Sequence, residues 1–215
     1  MIAVLLVAAF LFGSIPTGLL IATFKGVDLR KIGSGNIGAT NVLRALGRGA
    51  ALATLIGDML KGLLPVLAVR HLLPDMGIQF SDQYLSLPFT ITNAHTALEG
   101  AVGIAAILGH NFSIFLKFKG GKGVATSLGV ALALSPHAAL MAATVWLLAF
   151  KFSGYSSLGG ILAFASFPFC IYVIDYSPDK IGIAAIMAAL IFITHRGNIK
   201  RLLTGTENKV LRNNK

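Results

Sequence analysis

The sequence predicts an all-α integral membrane protein: a bundle of seven transmembrane helices, some short or broken, with re-entrant polar loops on its cytoplasmic face. Three observations carry this reading. The 215 residues are 55% hydrophobic and 12% charged, with a mean hydropathy of +0.79, whereas a soluble domain carries about 25% charged residues. The apolar character is spread along the chain in runs of spanning or near-spanning length. The basic residues fall almost wholly between alternate runs, as the positive-inside rule describes. A water-soluble monomer is thereby excluded. At ~20 residues per span only ~70 residues remain outside the bilayer, so the chain reads as a single polytopic domain, 1–215.

The expected spans are 2–24, 50–69, 101–116, 124–134, 137–152, 158–174 and 181–194. The first is long enough to cross and lacks a small-residue cleavage motif, so it reads as a retained helix. Between the second and third lies the longest polar stretch, Arg70 to Gly100, with Pro74, Asp75, Asp82, Pro88 and Glu99. It reads as an extramembrane, mildly acidic loop. Ser135-Pro136 is the ambiguous point. As a helix, 124–134 rises only ~17 Å, short of a crossing, and 124–152 reads equally as one Pro-kinked span.

Loop charges decide between six and seven crossings. With seven and an external N-terminus, one side receives Lys25, Arg30, Lys31, Arg44, Arg48, Lys117, Lys119, Lys122, Lys151, Arg196, Lys200, Arg201, Lys209, Arg212 and Lys215. The other receives Arg70 and Lys180, beside Asp75, Asp82, Asp175 and Asp179. Merging the two short segments would send the basic tail to the opposite face from the first loop. Seven spans therefore fit, with the N-terminus external and the C-terminus cytoplasmic.

Three glycine-rich or basic clusters then share the cytoplasmic face. The first is Gly33-Ser-Gly-Asn-Ile-Gly-Ala-Thr-Asn-Val-Leu-Arg44. Its glycines allow tight bends with N–H groups exposed, Ser34, Asn36, Thr40 and Asn41 add hydrogen bonds, and Arg44 adds a bidentate cation. That is phosphate-binding chemistry, although the same composition suits a flexible loop whose charges only set orientation. Gly33, Gly35 and Gly38 match a dinucleotide fingerprint in spacing, but the strand that motif requires is replaced by a membrane helix.

The second cluster runs from Gly109-His-Asn111 to Lys117-Phe-Lys-Gly-Gly-Lys-Gly-Val-Ala-Thr126. A glycine turn at Gly120 and Gly121 that opens a helix presents unpaired N–H groups and a positive dipole end, with Lys122 as a point charge. It is not a P-loop, because Gly123 stands where Ser or Thr must follow the lysine. Asn111-Phe-Ser113 matches a glycosylation acceptor but falls on the cytoplasmic side. Lys117 and Lys119 read as snorkelling toward headgroups.

The third is His195-Arg-Gly-Asn-Ile-Lys-Arg-Leu-Leu-Thr-Gly-Thr-Glu207, at the exit of the last span. Helical spacing places His195 and Asn198 on one face. A basic stop-transfer flank with an amphipathic tail accounts for Lys200, Lys209, Arg212 and Lys215, but not for His195 or Asn198. Within the bilayer, Asp58 and Lys61 can pair across one turn, and they read either as a self-neutralising pair facing neighbouring helices, the commoner case, or as a functional pair. Cys170 has no cation or His nearby in sequence to activate it. His71, His95 and His137 lack metal-ligand spacing, and the His-x-x-x-x-Asp dyad of soluble and single-pass glycerolipid acyltransferases is absent.

Together with Gly13-Ser-Ile-Pro-Thr-Gly18, these clusters closely resemble the bacterial acyl-phosphate:glycerol-3-phosphate acyltransferase family (PlsY). The resemblance runs from the first span to the tail. It implies a seven-helix membrane bundle that transfers a fatty acyl group from acyl-phosphate to the 1-hydroxyl of glycerol 3-phosphate. The products would be lysophosphatidic acid and inorganic phosphate, the first step of phospholipid synthesis. It places Ser34, Arg44, Lys122, Ser157, His195 and Asn198 around the substrates, with Ser157, His195 and Asn198 nearest the chemistry. The expected partners are glycerol 3-phosphate, acyl-phosphate and membrane lipid, with no nucleic acid, no cofactor and no metal, in a monomer or weak oligomer. The rival readings are a transporter or channel for an anionic solute, which usually shows repeats with mid-membrane breaks, and a non-catalytic lipid-binding scaffold.

Overall fold

The computed structural model describes residues 1–75 and 93–210, and among these every extended regular element is helical. Asp82 and Pro88 of the long loop, with Arg212 and Lys215 of the tail, lie outside the described residues. The first apolar run is two helices, α1 (Ile2–Ser14) and α2 (Thr17–Phe24). Pro16 supplies no N–H and cannot continue α1. At the break the Ile15 carbonyl accepts the Thr17 N–H at 3.1 Å and a hydrogen bond from Lys61 Nζ at 2.7 Å.

Helix α3 (Ala39–Asp75) starts well before the expected span, and its continuity is interrupted at Gly47, whose φ is 81° and ψ −174°. Asn41 and Arg44, expected in a loop, therefore stand on a short helix ahead of the kink. The sequence from Ala39 to Leu46 carries no breaker, and its Val42 is buried with Ala22 and Leu29 in a small cluster of its own. Helix α4 (Ala94–Asn111) likewise begins early, capped by Asn93, whose side chain accepts the Thr96 N–H at 2.8 Å. It ends before Leu116, so the expected 101–116 span finishes in a separate 3₁₀ turn over Ile114–Leu116.

The Ser135-Pro136 question is resolved by direction. Helices α5 (Val124–Leu134) and α6 (Pro136–Ser153) flank an extended Ser135. In a single rod Val124 and Trp146 would stand roughly 33 Å apart. Yet the neighbouring Gly160 and Gly159 of α7 (Ser156–Ile174) face them separately: a Cβ on Gly160 would lie 3.1 Å from Val124, and one on Gly159 2.9 Å from Trp146. The chain thus folds back at Ser135, as a loop and not as a kink. The last run is α8 (Pro178–Thr194), followed after a 63° bend by the short amphipathic α9 (Arg196–Leu203).

Among the described residues four stretches suffice by length and composition to cross a membrane, Ile2–Phe24, Ala39–Leu72, Ala94–Leu116 and Ser156–Ile174, and the bent α8–α9 pair makes a fifth if it is one span. The short α5 is held by close backbone approach to α3. A Cβ on Gly129 would come within 2.0 Å of the Met59 carbonyl, and one on Gly62 within 2.1 Å of the Thr126 carbonyl. Only glycine permits that contact, the small-residue packing of membrane helices. Around it Val66, Ile107, Val130, Phe167, Met187 and Ile191 form the main buried core. At the far end Arg70 makes a two-pronged ion pair with Glu99 of α4, and its Nη1 donates to the Ala133 carbonyl at 2.6 Å. That contact satisfies a carbonyl in the last turn of α5.

Candidate active site

Three helices begin at one place. The N-terminal turns of α3 (Gly38, Ala39, Thr40), α5 (Gly123, Val124, Ala125) and α7 (Ser156, Ser157) all line a single cavity of about 440 Å³. Each brings backbone N–H groups without intrahelical partners and a positive dipole end. Arg44, Lys122 and Arg201 add side-chain cations at the same end. The inner end is apolar, bounded by Leu128, Ala131, Ala142, Trp146, Ala163 and Phe164 from α5, α6 and α7. A cavity cationic at one end and hydrocarbon-like at the other matches an amphiphile carrying a phosphate.

The polar end is organised around Glu207. Its Oε1 accepts from Ser157 Oγ at 2.7 Å and from Asn198 Nδ2 at 2.5 Å, and its Oε2 accepts from Arg201 Nε at 2.6 Å. Burial opposes its ionisation, but these three donors together hold its carboxyl below the ordinary carboxylate range. Asn198 Oδ1 accepts in turn from Lys122 Nζ at 2.5 Å. Burial of Lys122 outweighs the attraction of Glu207 and, with repulsion from Arg201 and Arg44, lowers its pKa to about 8. The segment carrying Glu207 lines the cavity and is tied to its other walls. Arg44 Nη2 reaches the Asn208 carbonyl at 3.3 Å, Val210 N–H donates to the Gly154 carbonyl at 3.0 Å, and Lys209 Nζ sits 5.5 Å from the centre of the Tyr155 ring.

His195 stands at the bend between α8 and α9, so it and Asn198 do not share one helix face as their spacing predicts. The bend itself brings both to the cavity. His195 Nδ1 lies 2.9 Å from the Ile191 carbonyl. A carbonyl only accepts, so Nδ1 carries the proton and Nε2 is left with its lone pair. The ring is buried, and a Cβ on Gly160 would lie 3.9 Å from that Nε2.

Of the other expected residues, Ser34 and Asn36 line the cavity, although Asn36 Oδ1 already accepts the Ile37 N–H at 3.0 Å. Asn41 differs from expectation. Its Oδ1 accepts the Ser34 N–H and its Nδ2 donates to the Leu29 and Ile32 carbonyls, so it pins the first loop and has no donor left to offer. Gly120 and Gly121 differ too. Their N–H groups are spent on the Asn111 and His110 carbonyls at 3.1 and 3.0 Å, and both line a smaller recess on the other side of Lys122. The unpaired N–H groups expected there belong to the first turn of α5.

Thr40, named with the first cluster, lines the cavity as well, whereas sequence reasoning missed Ser156, Arg201, Glu207 and His110. Thr40 and Ser156 meet at 3.1 Å across α3 and α7. For Glu207 a signal existed: apart from Asp28 it is the only carboxylate on the basic side. Asp58 and Lys61 do pair, at 2.7 Å, and both are buried.

A family model described as glycerol-3-phosphate acyltransferase matches residues 3–205. A protein named glycerol-3-phosphate acyltransferase from Geotalea daltonii is 47% identical over 206 residues, covering 95% of each chain. One of the same name from Aquifex aeolicus is 44% identical, over 95% of this chain and 97% of the other. Two crystal structures of PlsY, an integral membrane glycerol 3-phosphate acyltransferase, are similar in fold. The glycerol 3-phosphate form has a TM-score of 0.82 at 41% identity, and the lysophosphatidic acid form 0.81 at 40%. Each alignment covers 97% of this chain and 94% of the other.

Proposed function

The chain belongs to the glycerol-3-phosphate acyltransferase family, and we propose that it transfers a fatty acyl group from acyl-phosphate to the 1-hydroxyl of glycerol 3-phosphate at the cytoplasmic face of a bacterial inner membrane. The observation that carries the reading is the two-ended cavity: three helix N-termini with Arg44, Lys122 and Arg201 at one end, an apolar bay between α5, α6 and α7 at the other. The bay takes the acyl chain, and the cationic end takes phosphate. The backbone reversal at Ser135 supports seven crossings, with the N-terminus external and all three motif clusters on the cytoplasmic side.

In the reaction the glycerol hydroxyl oxygen bonds to the carbonyl carbon, the carbon–oxygen bond to phosphate breaks, and inorganic phosphate leaves with the electron pair. The hydroxyl proton passes to the departing phosphate, which leaves as hydrogen phosphate. Acyl-phosphate is a mixed anhydride with a good leaving group, so positioning and charge stabilisation suffice for most of the acceleration. His195 Nε2, with its free lone pair, accepts the hydroxyl hydrogen bond and aims the nucleophile. The bridge from Lys122 through Asn198 to Glu207 and Ser157 fixes the cations that offset phosphate charge.

The test is turnover by purified protein with synthetic acyl-phosphate and glycerol 3-phosphate, read as lysophosphatidic acid and phosphate formed together. Equal turnover with acyl-CoA as donor, or no ester product, would overturn the reading. Activity should persist in chelator, since Glu207 is committed to three donors and Asp28 to the Arg30 N–H and Lys31.

A further inference from the structure

Beside the candidate site lies a buried cluster that the reaction as described does not use. Lys61 Nζ is 2.7 Å from Asp58 Oδ1, 2.7 Å from the Ile15 carbonyl and 3.2 Å from Nδ1 of His110. Asp58, Lys61 and His110 are all buried, and His110 is 5% exposed. Asp58 and His110 both line the cavity. An ammonium paired with a carboxylate has three donors and nothing that accepts. Its contact with Nδ1 therefore requires Nδ1 to carry the lone pair, which places the ring proton on Nε2. The Asp58 oxygen, 3.8 Å from Nδ1, is too distant to take a hydrogen bond from the opposite tautomer.

No described residue accepts a hydrogen bond from Nε2. It lies against Gly121, where an added Cβ would come within 2.2 Å, so only glycine fits beside this edge of the ring. Lys122 follows directly. The cavity is thus lined by two buried imidazoles in opposite tautomers: His195 carries its lone pair on Nε2, and His110 carries its proton there.

We propose that His110 is a substrate-binding residue, its Nε2–H donating to a phosphoryl oxygen held beside Lys122, with Asp58 and Lys61 as positioning residues that fix its tautomer. A neutral donor suits this place. It stabilises an anionic oxygen without adding a further cation that must be neutralised when the site is empty, and it holds no proton that phosphate could remove at neutral pH. The inference rests on the acyl-transfer reading for its ligand but not for its geometry.

The experiment has two arms. In the first, protein with ¹⁵N-labelled histidine is examined by NMR, titrated with inorganic phosphate. His110, assigned by comparison with His110→Gln, should show a protonated Nε2 and an unprotonated Nδ1, and His195 the reverse. Phosphate should move the His110 Nε2 signal, and Lys61→Met should abolish the single-tautomer signature. A protonated Nδ1 on His110, or a signal indifferent to phosphate, overturns the proposal, and neither depends on turnover. In the second arm, glutamine places an amide donor near Nε2, whereas asparagine places an acceptor near Nδ1. His110→Gln should raise KM less than His110→Asn, which should raise KM for the substrate whose phosphate is held there by roughly tenfold to a hundredfold, the loss of one hydrogen bond to a charged group. A ring that merely anchors Lys61 would give the opposite order. If wild-type protein failed to use acyl-phosphate while the NMR signature and phosphate response held, the functional reading would fall and the anion contact would stand.

Discussion

Lys122 and Glu207 are held on opposite sides of one amide, Asn198, whose oxygen faces the ammonium and whose nitrogen faces the carboxylate, each at 2.5 Å. The order is forced, because a lysine only donates and a carboxylate only accepts. Asn198 thereby has one orientation, and the motif clusters on α5 and α9 are registered through it.

Reversing that order should be costly and repairable. Asn198→Asp sets a second carboxylate against Glu207, and like-charge juxtaposition costs several kcal/mol, so kcat/KM should fall by at least ~100-fold. Adding Glu207→Gln restores a donor facing an acceptor and should recover most of the loss. A double variant no better than Asn198→Asp alone would show that the bridge is not what sets activity.

The depressed pKa of Lys122 predicts an alkaline limb. The charged form binds phosphate, and it is lost as pH rises through about 8, the value burial imposes on the free protein. Log kcat/KM should therefore decline above that pH. The decline should move to higher pH in kcat, because bound phosphate stabilises the ammonium. Lys122→Arg should flatten the limb whatever its effect on rate, and a limb that survives in that variant belongs to another group.

Arg44, which lines the cavity, reaches two carbonyls of the segment carrying Glu207, at 3.3 and 3.5 Å. Arg44→Lys keeps the charge and loses the planar fork. The expected cost is about 1.5 to 3 kcal/mol of transition-state stabilisation, roughly tenfold to over a hundredfold in kcat/KM. Steady-state kinetics on dispersed, folded protein would measure it, and retention of the wild-type value would return Arg44 to a purely topological role.

Packing predicts a contrast between two glycines. A Cβ on Gly129 would meet backbone, which cannot turn aside, whereas one on Gly49 would meet nothing within 4 Å. Gly129→Ala should destabilise by about 1–3 kcal/mol as α3 and α5 separate, lowering the thermal midpoint in detergent and displacing Lys122. Gly49→Ala should leave both stability and turnover near wild type.

The topology is open to cysteine labelling in a Cys170→Ser background. With an impermeant reagent on intact cells, a cysteine replacing exposed Tyr176 should be labelled from outside, and cysteines replacing Lys119 or Thr206 only after the membrane is opened. Labelling of positions 119 and 206 from opposite sides would break the seven-span arrangement.

The membrane class and the three clusters were legible because hydropathy and the sidedness of charge act over long windows, where local detail averages out. What escaped was local. The helix carrying Asn41 and Arg44 read as loop because glycines precede it and Gly47 interrupts it. Gly120 and Gly121 read as anion donors because sequence does not show that their N–H groups close a turn onto His110 and Asn111. Glu207 hid in a basic tail whose charge pattern announces only a membrane flank, and its three donors lie on segments up to fifty residues away. Ser157 came through the family resemblance, and nothing around it in sequence marks the start of α7 as a wall of the cavity.

The shortness of α5 has a thermodynamic consequence for the fatty substrate. Eleven residues rise only ~17 Å, against a hydrocarbon slab of ~30 Å, and Thr126 packs on Gly62, midway along α3, so Lys122 and the start of α5 lie well inside the length that α3 covers. Lifting an acyl chain out of lipid costs about 0.8 kcal/mol for every methylene exposed to water. A polar floor sunk into the bilayer removes that toll from the catalytic cycle. The tail stays in oil throughout, and it is glycerol 3-phosphate, with no chain to strand, that travels down to meet it.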